Sequence, residues 1–221
     1  MAFKSQIRSF RAGYPALFPT RPLEVQEAGL QPTADADVAI ALRAAETFRN
    51  PRTQAHVRAL LLLCRGAGAD AVDCRYIAGT DVFRRDGAGL WVRIRRPGRE
   101  REVPVLARLA DPLAALARTA GPDSLIADGP PPVALGQAAE LTDRLKRRVA
   151  GQHPAWPVTP GRLRKAWIRE QLATWETLAV FLQAAGLRSM RAVTDLQAVC
   201  PAPPTDPARQ AVLLGGVGAH G

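Results

Sequence analysis

Residues 90–105 constrain the fold most, because apolar and polar side chains alternate along the first half of this segment with a period of two. One face of the first strand is apolar and comprises Leu90, Val92 and Ile94. The other face is aromatic and cationic and comprises Trp91, Arg93 and Arg95. Pro97-Gly98 then marks a turn, and residues 101–105 run back. The pattern predicts a β-hairpin with its apolar face inward, and Pro104 predicts that the return strand is an edge strand or has its N–H side free.

Segments before and after the hairpin carry their apolar residues at helical spacing. The predicted helices are 33–49 (with Thr33 as its N-cap), 51–66, 71–77, 111–119, 133–150, 161–172, 175–185 and 189–199. Gly66-Ala67-Gly68 ends the second helix, and residues 124–126 are predicted to form one more short strand. The predicted fold class is therefore mainly α with a small antiparallel β-hairpin or sheet, an α+β architecture.

The 221 residues divide into one main domain and two flanking segments. We predict that residues 1–33 are the end of a helix followed by a proline-rich linker, and that residues 34–200 form the main domain. Residues 201–221 are rich in proline, alanine and glycine and are predicted to be a flexible tail. No internal repeat is visible in the sequence.

The charge balance is strongly basic, with 30 Lys and Arg against 20 Asp and Glu, a net charge of +10 and an isoelectric point near 10.8. Such a balance favours a polyanionic partner, most simply double-stranded DNA. Only Lys4, Lys146 and Lys165 are lysines, and an arginine excess beside abundant alanine, glycine and proline also fits the codon usage of a GC-rich genome. Both interpretations of the charge stay open.

Two arginine-rich clusters hold most of this charge. Residues 84–101 contain seven arginines against two acids, and residues 144–169 contain eight cations and no acid. Guanidinium groups bind phosphate oxygens in a bidentate manner, and each neutralised phosphate releases counterions. The predicted DNA-contacting residues are Arg93, Arg95, Arg96, Arg99, Arg144, Lys146, Arg147, Arg148, Arg162, Arg164 and Lys165. The alternative is that both clusters are solvated surfaces without a ligand.

The sequence argues against membrane, metal and cofactor chemistry. No apolar run reaches transmembrane length, and charges interrupt the N-terminus too often for a signal peptide. The three cysteines and three histidines lack the spacing of a disulfide framework or a metal site, and Cys64 is expected in the core. No glycine-rich phosphate loop is present. We therefore expect a cytoplasmic protein with no membrane association, no metal and no small-molecule cofactor.

The order of these elements resembles the catalytic domain of the tyrosine recombinases, the phage integrase family, and in particular its divergent actinobacterial members. The shared order is a helix ending in Gly66-Ala67-Gly68, a short helix, a basic hairpin ending in Val103-Pro104-Val105, a helix, and the segment 162–167, Arg-Leu-Arg-Lys-Ala-Trp. The resemblance covers about residues 34–200. It implies the recombinase fold and a duplex DNA partner. Residues 1–10 resemble only the last helix of the family's core-binding domain, as expected of a truncated gene, of a decayed gene or of a start site placed too late.

The resemblance assigns catalytic positions to few residues of this chain. Asp73 matches the family's acidic residue, but Asp70 stands where the family has an arginine, and an aspartate there would repel a phosphate. The family's hairpin cation matches one of Arg93, Arg95, Arg96 and Arg99. Its His-x-x-Arg box matches residues 161–164, which keep the arginine as Arg164 and have Gly161 in place of the histidine.

The nucleophile of the family is missing from the matching position. The later Gly-His pair of the family falls on Gly186-Leu187, and its tyrosine should follow near residues 194–196, which read Thr-Asp-Leu. The only tyrosines in the chain are Tyr14 and Tyr76. Because cleavage in this family needs a phenolic oxygen to attack the phosphate, the resemblance implies a recombinase-like protein without strand-cleavage activity.

Three functions stay open at this point. The first is DNA binding within the recombination system of a mobile element, with Arg164 on the target phosphate and without strand cleavage. The second is a protein–protein docking module that acts on a full-length recombinase. The third is an active site-specific recombinase whose nucleophile has moved to Tyr76.

Overall fold

A computed structural model describes residues 33–149, 158–172 and 178–187 of the chain. Three predicted segments lie outside the described residues: the N-terminal helix and linker up to residue 32, the helix 189–199 and the tail 201–221. None of the helices described is both long enough and apolar enough to cross a membrane.

Helices and one small sheet make up the described residues. The helices are α1 (Asp35–Glu46), α2 (Pro51–Gly66), α3 (Ala107–Ala120), α4 (Gln137–Val149), α5 (Pro160–Leu172) and α6 (Leu178–Ala185), and two 3-10 turns cover Asp73–Tyr76 and Gly79–Asp81. The strands β1 (Val82–Arg85), β2 (Gly89–Ile94) and β3 (Arg101–Pro104) form an antiparallel sheet in the order β1-β2-β3. The prediction of a mainly α fold with a small antiparallel sheet is confirmed.

Helix α2 is the centre of the core. It begins at Pro51, whose fixed φ suits a first helical turn, and the Asn50 side chain caps it by accepting a hydrogen bond from the Arg52 amide (2.8 Å). Residues 59–64 are all buried, because α1, α3, α4 and α5 pack around them. A helix covered on several sides has no polar face there, which explains the run of leucines at positions 60–63.

The sheet confirms the predicted hairpin and adds a strand to it. Leu90, Val92 and Ile94 are at most 3% exposed, as a strand with one buried face requires. Among the described strands, β3 pairs with β2 alone, so Pro104 lies on an edge strand of this sheet. Strand β1 was not predicted, because four residues that include two arginines carry too little alternation to indicate a strand.

Two predicted local features are wrong. Thr33 does not cap α1, because Ala34 occupies the N-cap position without a side-chain hydrogen bond. Thr33 is instead 3% exposed, and its backbone N–H donates to a carbonyl of α5 (3.4 Å). The predicted strand at residues 124–126 reduces to a single β-bridge to Ala78.

Three predicted helices differ in their bounds or type. Helix α3 begins at Ala107 rather than at residue 111, because the packing of Ala110 on the core outweighs the cost of Pro112 inside the helix. Helix α4 begins at residue 137 rather than at residue 133. The predicted helix 71–77 is a 3-10 turn of four residues.

The turn after α2 depends on Gly68. Its φ is +60°, in the left-handed region that favours glycine. A Cβ atom at this position would lie 2.2 Å from Cε3 and 2.5 Å from Cδ2 of Trp167 on α5. Trp167 is fully buried and stacks on Phe181 of α6, with ring centroids 6.5 Å apart. The missing side chain at residue 68 therefore lets α5 lie against the end of α2.

Four charged residues connect helices α1, α2, α3 and α5. Arg65 is 5% exposed, and its Nη2 donates to Asp35 and to Glu170, both at 2.7 Å. Arg108 donates to the same two carboxylates. The hydrogen bond from Arg108, more than any other contact, lowers the pKa of Glu170 to about 2. Two positive and two negative charges thus balance where these helices meet.

Candidate nucleic-acid interface

Asp73 is the buried centre of a group of charges that we call the Asp73 cluster: Asp70, Asp73, Arg96, Arg101 and Arg164. The Asp73 carboxylate is 1% exposed and accepts a hydrogen bond from Nη2 of Arg101 at 2.6 Å. Nη1 of Arg96 lies 3.3 Å from the carboxylate, and Nη1 of Arg164 lies 3.5 Å from it. Guanidinium groups from α5, from β3 and from the β2–β3 connection thus converge on one carboxylate.

Asp70 and Asp73 fix the short turn that begins the cluster. The Asp73 N–H donates to Oδ1 of Asp70 at 2.7 Å, and the Asp70 N–H donates to Oδ2 of Asp73 at 3.1 Å. This reciprocal pattern resembles the capping box of a helix start, with aspartate at both ends. The Asp-x-x-Asp spacing therefore holds both carboxylates in place next to the arginines.

Arg101 connects the cluster to the end of α6. It lies opposite Ile94 in the sheet, its side chain is 5% exposed, and its Nε donates to the Ala184 carbonyl at 3.1 Å. The carbonyls at a helix C-terminus favour a cation. Gly186, with a φ of +64°, ends this helix, and a Cβ atom there would lie 2.6 Å from Cζ of Arg101. Glycine at residue 186 therefore leaves room for the guanidinium group.

Arg164 faces the protein interior, although its position near the start of α5 predicted a guanidinium that projects toward a phosphate. Its side chain is 11% exposed and donates to the carbonyls of Gly68 and Ala185. Burial lowers the pKa of Arg164, and the nearby Asp73 partly offsets that effect. In this arrangement Arg164 joins α5, the turn after α2 and the end of α6.

The arginines of the cluster favour the ionised form of Asp73. Burial alone would raise the pKa of Asp73, but the charge and hydrogen bond of Arg101, with Arg164, lower it overall. Asp70 lies 3.2 Å from Arg96, so the repulsion that its carboxylate would exert on a phosphate is offset by a neighbouring cation. Three guanidinium groups against two carboxylates leave the cluster with a single positive charge.

The hairpin arginines divide into paired and unpaired groups. Arg93, on the outer face of β2, is 44% exposed, and Arg95, directly after β2, is 58% exposed. Arg93 donates to Glu102 at 2.9 Å, and Arg95 donates to Asp81 at 2.6 Å. Arg99, in the connection to β3, has no carboxylate partner in the described part of the chain. A phosphate would compete with a carboxylate for Arg93 and Arg95, but not for Arg99.

The predicted cations at the end of α4 are all exposed: Arg144, Lys146, Arg147 and Arg148. Arg144 pairs with a glutamate one turn earlier, and Lys146 pairs with Asp143 at 3.5 Å. Arg148 donates to the side chain and carbonyl of Thr47 and so connects α4 to the end of α1. Within the described residues, Arg147 is the member of this group without such a partner.

Arg162 and Lys165 are half-buried on α5. Burial lowers the pKa of Arg162, although Asp37 acts in the opposite direction. Of all the predicted DNA contacts, the structure brings only Arg96 and Arg164 into the Asp73 cluster. Arg101 was not among the predicted site residues. The signal that could have identified it is its spacing, because Arg101 and Val103 are two apart on β3 and therefore share its inward face.

No catalytic nucleophile is evident among the described residues. Tyr76 is half-buried, with the Arg75 guanidinium 5.4 Å from its ring centroid. Tyr14 and residues 194–196 lie outside the described residues. Cys64 is fully buried, as predicted, and its Sγ lies 3.8 Å from Sγ of Cys74. Across residues 33–149, 158–172 and 178–187, no three metal-ligating side chains are placed to hold an ion.

Comparison by sequence finds no family model and no curated protein that matches this chain. Comparison by structure finds XerA recombinase, with a TM-score of 0.55 and 12% identity over 85% of this chain and 66% of that one. The XerH site-specific recombinase, bound to its palindromic difH substrate in a post-cleavage complex, has a TM-score of 0.56 and 13% identity over 84% of this chain and 52% of that one.

A third similar structure is the Tn1549 transposon integrase in complex with a circular intermediate DNA, with a TM-score of 0.53 and 14% identity over 83% of this chain and 65% of that one. The fold is that of a tyrosine-recombinase catalytic domain. The chain spans between 52% and 66% of the length of these proteins. In this recombinase fold the Asp73 cluster lies where the turn after α2, the sheet, α5 and the end of α6 meet.

Proposed function

We propose that the protein binds double-stranded DNA within the recombination system of a mobile element and does not cleave it. The observation that carries the proposal is the likeness of the fold to two proteins solved on DNA, the XerH recombinase and the Tn1549 integrase. A net charge of +10 supports the same partner, because phosphate neutralisation drives most protein–DNA affinity.

The proposed DNA contacts are the predicted hairpin, α4 and α5 cations, and the structure ranks them by how free each cation is. Arg99 and Arg147 have no carboxylate partner among the described residues and should bind phosphate without losing an internal pair. Arg93 and Arg95 must exchange a carboxylate for a phosphate. Arg164 is assigned the role of positioning the other arginines, because its own hydrogen bonds are internal.

We expect the protein to bind a 20-base-pair duplex with a dissociation constant in the micromolar range. The affinity should fall steeply with salt, with a log–log slope of about −4 to −7, as expected for about five to eight phosphate contacts. Arg147→Ala should reduce the magnitude of this slope by about 1. The measurement is a fluorescence-anisotropy titration with labelled duplex between 50 and 200 mM salt.

The control variant is Arg118→Ala, because it removes the same charge from another exposed helix position without a carboxylate partner in the described residues. Equal losses for both variants would show that only net charge matters and that α4 is not a contact surface. A wild-type protein that leaves the duplex free at 50 mM salt would reject DNA binding and favour a docking module that acts on a full-length recombinase.

Absence of cleavage follows from the residues at three positions. The family's tyrosine has no counterpart near residues 194–196, Gly161 replaces a histidine that transfers a proton, and Asp70 replaces an arginine that stabilises charge on the phosphate. Each such group typically contributes orders of magnitude in rate. Tyr76 has no base in hydrogen-bond contact among the described residues.

We expect no covalent protein–DNA adduct when the protein is incubated with nicked suicide duplexes of randomised sequence and analysed on a denaturing gel. An active recombinase with its own site, run in parallel, shows that the assay traps phosphotyrosyl intermediates. A covalent band that disappears in Tyr76→Phe would overturn the proposal and assign the nucleophile to Tyr76.

A further inference from the structure

We infer that the open edge of β1 is a docking site for an extended acidic segment of a partner protein, which adds to the sheet as a fourth strand. Strand β1 is the outer strand on its side of the sheet, and a groove of about 370 Å³ lies between it and α3. An unpaired strand edge is a template for another extended chain, and several peptide-binding domains use it in this way.

The groove runs along the edge of β1 rather than along one face of the sheet. Three consecutive residues of the strand line it, Val82, Phe83 and Arg84. Successive side chains of a strand point to opposite faces. Three consecutive residues of β1 can therefore line the same groove only if the edge of the strand, rather than one of its faces, forms that side of the groove.

The backbone of Arg84 points into this open edge. The Leu90 carbonyl accepts a hydrogen bond from the Val105 N–H at 2.8 Å, so the backbone groups of Leu90 face β3. Arg84 is the β1 residue directly opposite Leu90, and its own N–H and C=O must therefore point away from β2. Neither group bonds to a loop or helix among the described residues.

The groove can accept one apolar side chain. Its inner wall is formed by Leu90 and by Ala114 and Ala117 of α3, and the two alanines leave a gap between helix and sheet. A segment paired with Arg84 would place the residue opposite Arg84 on the inward face of the sheet, above this wall. Burial of a medium-sized apolar side chain there contributes roughly 1.5–3 kcal/mol.

The rim of the groove is cationic. Among the described residues that line it, Arg84 and Arg118 are cationic and none is a carboxylate. Arg118 has no carboxylate partner in the described residues, and Arg84 pairs only with Asp111, which is 88% exposed. A partner segment with acids two residues to either side of an apolar residue would place all three side chains on the inward face, bury the apolar one and pair the acids with both arginines. Charge complementarity therefore selects an acidic partner strand.

The test uses a fluorescein-labelled seven-residue peptide with a central leucine, a glutamate two residues to either side, and threonines between them and at both ends. We expect the full chain to bind this peptide with a dissociation constant of about 10–100 µM by fluorescence anisotropy. A peptide with serine in place of the central leucine and the same charge should bind about tenfold more weakly.

The backbone contribution is the difference between Arg84→Pro and Arg84→Ala, because both remove the charge and only proline removes the N–H; Arg118→Glu examines the charge alone. Arg84→Pro removes the N–H that the added strand needs but no bond to β2, and Arg118→Glu reverses a charge on the rim; each should weaken binding about tenfold. The matched control Arg147→Glu makes the same charge change on α4 and should leave peptide binding unchanged. A thermal unfolding transition of each variant establishes that the variant is folded. If Arg84→Pro does not fold, Arg118→Glu alone tests the inference.

Several results would overturn the inference. They are no binding by wild-type protein at 1 mM peptide, equal binding of the serine peptide, or equal effects of Arg118→Glu and Arg147→Glu. Displacement of the peptide by duplex DNA would do the same, because it would make the groove part of the nucleic-acid surface. Because peptide binding itself is measured without DNA, a failure of this inference is distinguishable from a failure of the proposed function.

Discussion

Replacing Asp73 with asparagine is expected to lower the free energy of unfolding by about 3–5 kcal/mol, because it leaves buried arginines without their shared carboxylate. Arg101 and Arg164 are 5% and 11% exposed, so water replaces the lost charge poorly. The amide of asparagine keeps the shape of the side chain, and the loss therefore reports charge rather than packing. The measurement is urea unfolding followed by far-ultraviolet circular dichroism.

The matched control for this prediction is Asp143→Asn. Asp143 pairs with Lys146 on the surface of α4, where the two side chains are 60% and 48% exposed. An exposed pair of this kind contributes about 0.5 kcal/mol or less. If Asp73→Asn were as mild as Asp143→Asn, the three arginines would not depend on Asp73, and this carboxylate would not hold the cluster together.

Replacing Gly68 with alanine is expected to lower the free energy of unfolding by about 2–5 kcal/mol, from left-handed backbone strain and from overpacking together. The added Cβ atom would lie 2.2 Å from Cε3 of Trp167. The tryptophan cannot move away easily, because it is fully buried and stacked against Phe181. Either α5 shifts or the turn after α2 opens, and both movements separate Arg164 from Asp73.

The control variant for the contribution of left-handed backbone strain is Gly87→Ala. Gly87 has a φ of +70°, and a Cβ atom there would meet nothing within 4 Å. This variant should therefore lose only the strain contribution of about 1–2 kcal/mol. The difference between the two variants measures the Trp167 contact, and it should shrink when both are made in a Trp167→Leu background. No difference between Gly68→Ala and Gly87→Ala would show that the ring exerts no steric constraint.

The sequence predicted those parts of the fold whose signal is local. The hairpin was predictable because burial of Leu90, Val92 and Ile94 on one face forces a period of two. The end of α2 was predictable because glycine is the residue that adopts the left-handed conformation found at Gly68. The start of α3 was not, because packing of the residues before Pro112 outweighs the local preference to begin a helix there.

The candidate site was predictable only in its residue types. Asp73 and Arg164 were singled out by resemblance, but their contacts depend on residues distant in sequence, such as the pair Arg101 and Asp73, which are 28 positions apart. Whether an arginine faces phosphate or the interior is decided by such long-range contacts. For that reason the inward orientation of Arg164 and the pairing of Asp70 with Arg96 became visible only in the structure.

The long sequence separations in the Asp73 cluster also have a consequence for how the chain folds. Arg164 bonds to a carbonyl 96 positions before it, and Arg101 bonds to one 83 positions after it. Closing such long loops costs entropy that only late contacts recover, so the cluster should form near the end of folding. During synthesis, Asp73 and Arg101 leave the ribosome well before α5 and α6, which supply Arg164 and the Ala184 carbonyl. Assembly of the arginines therefore reports that the domain has been synthesised through α6.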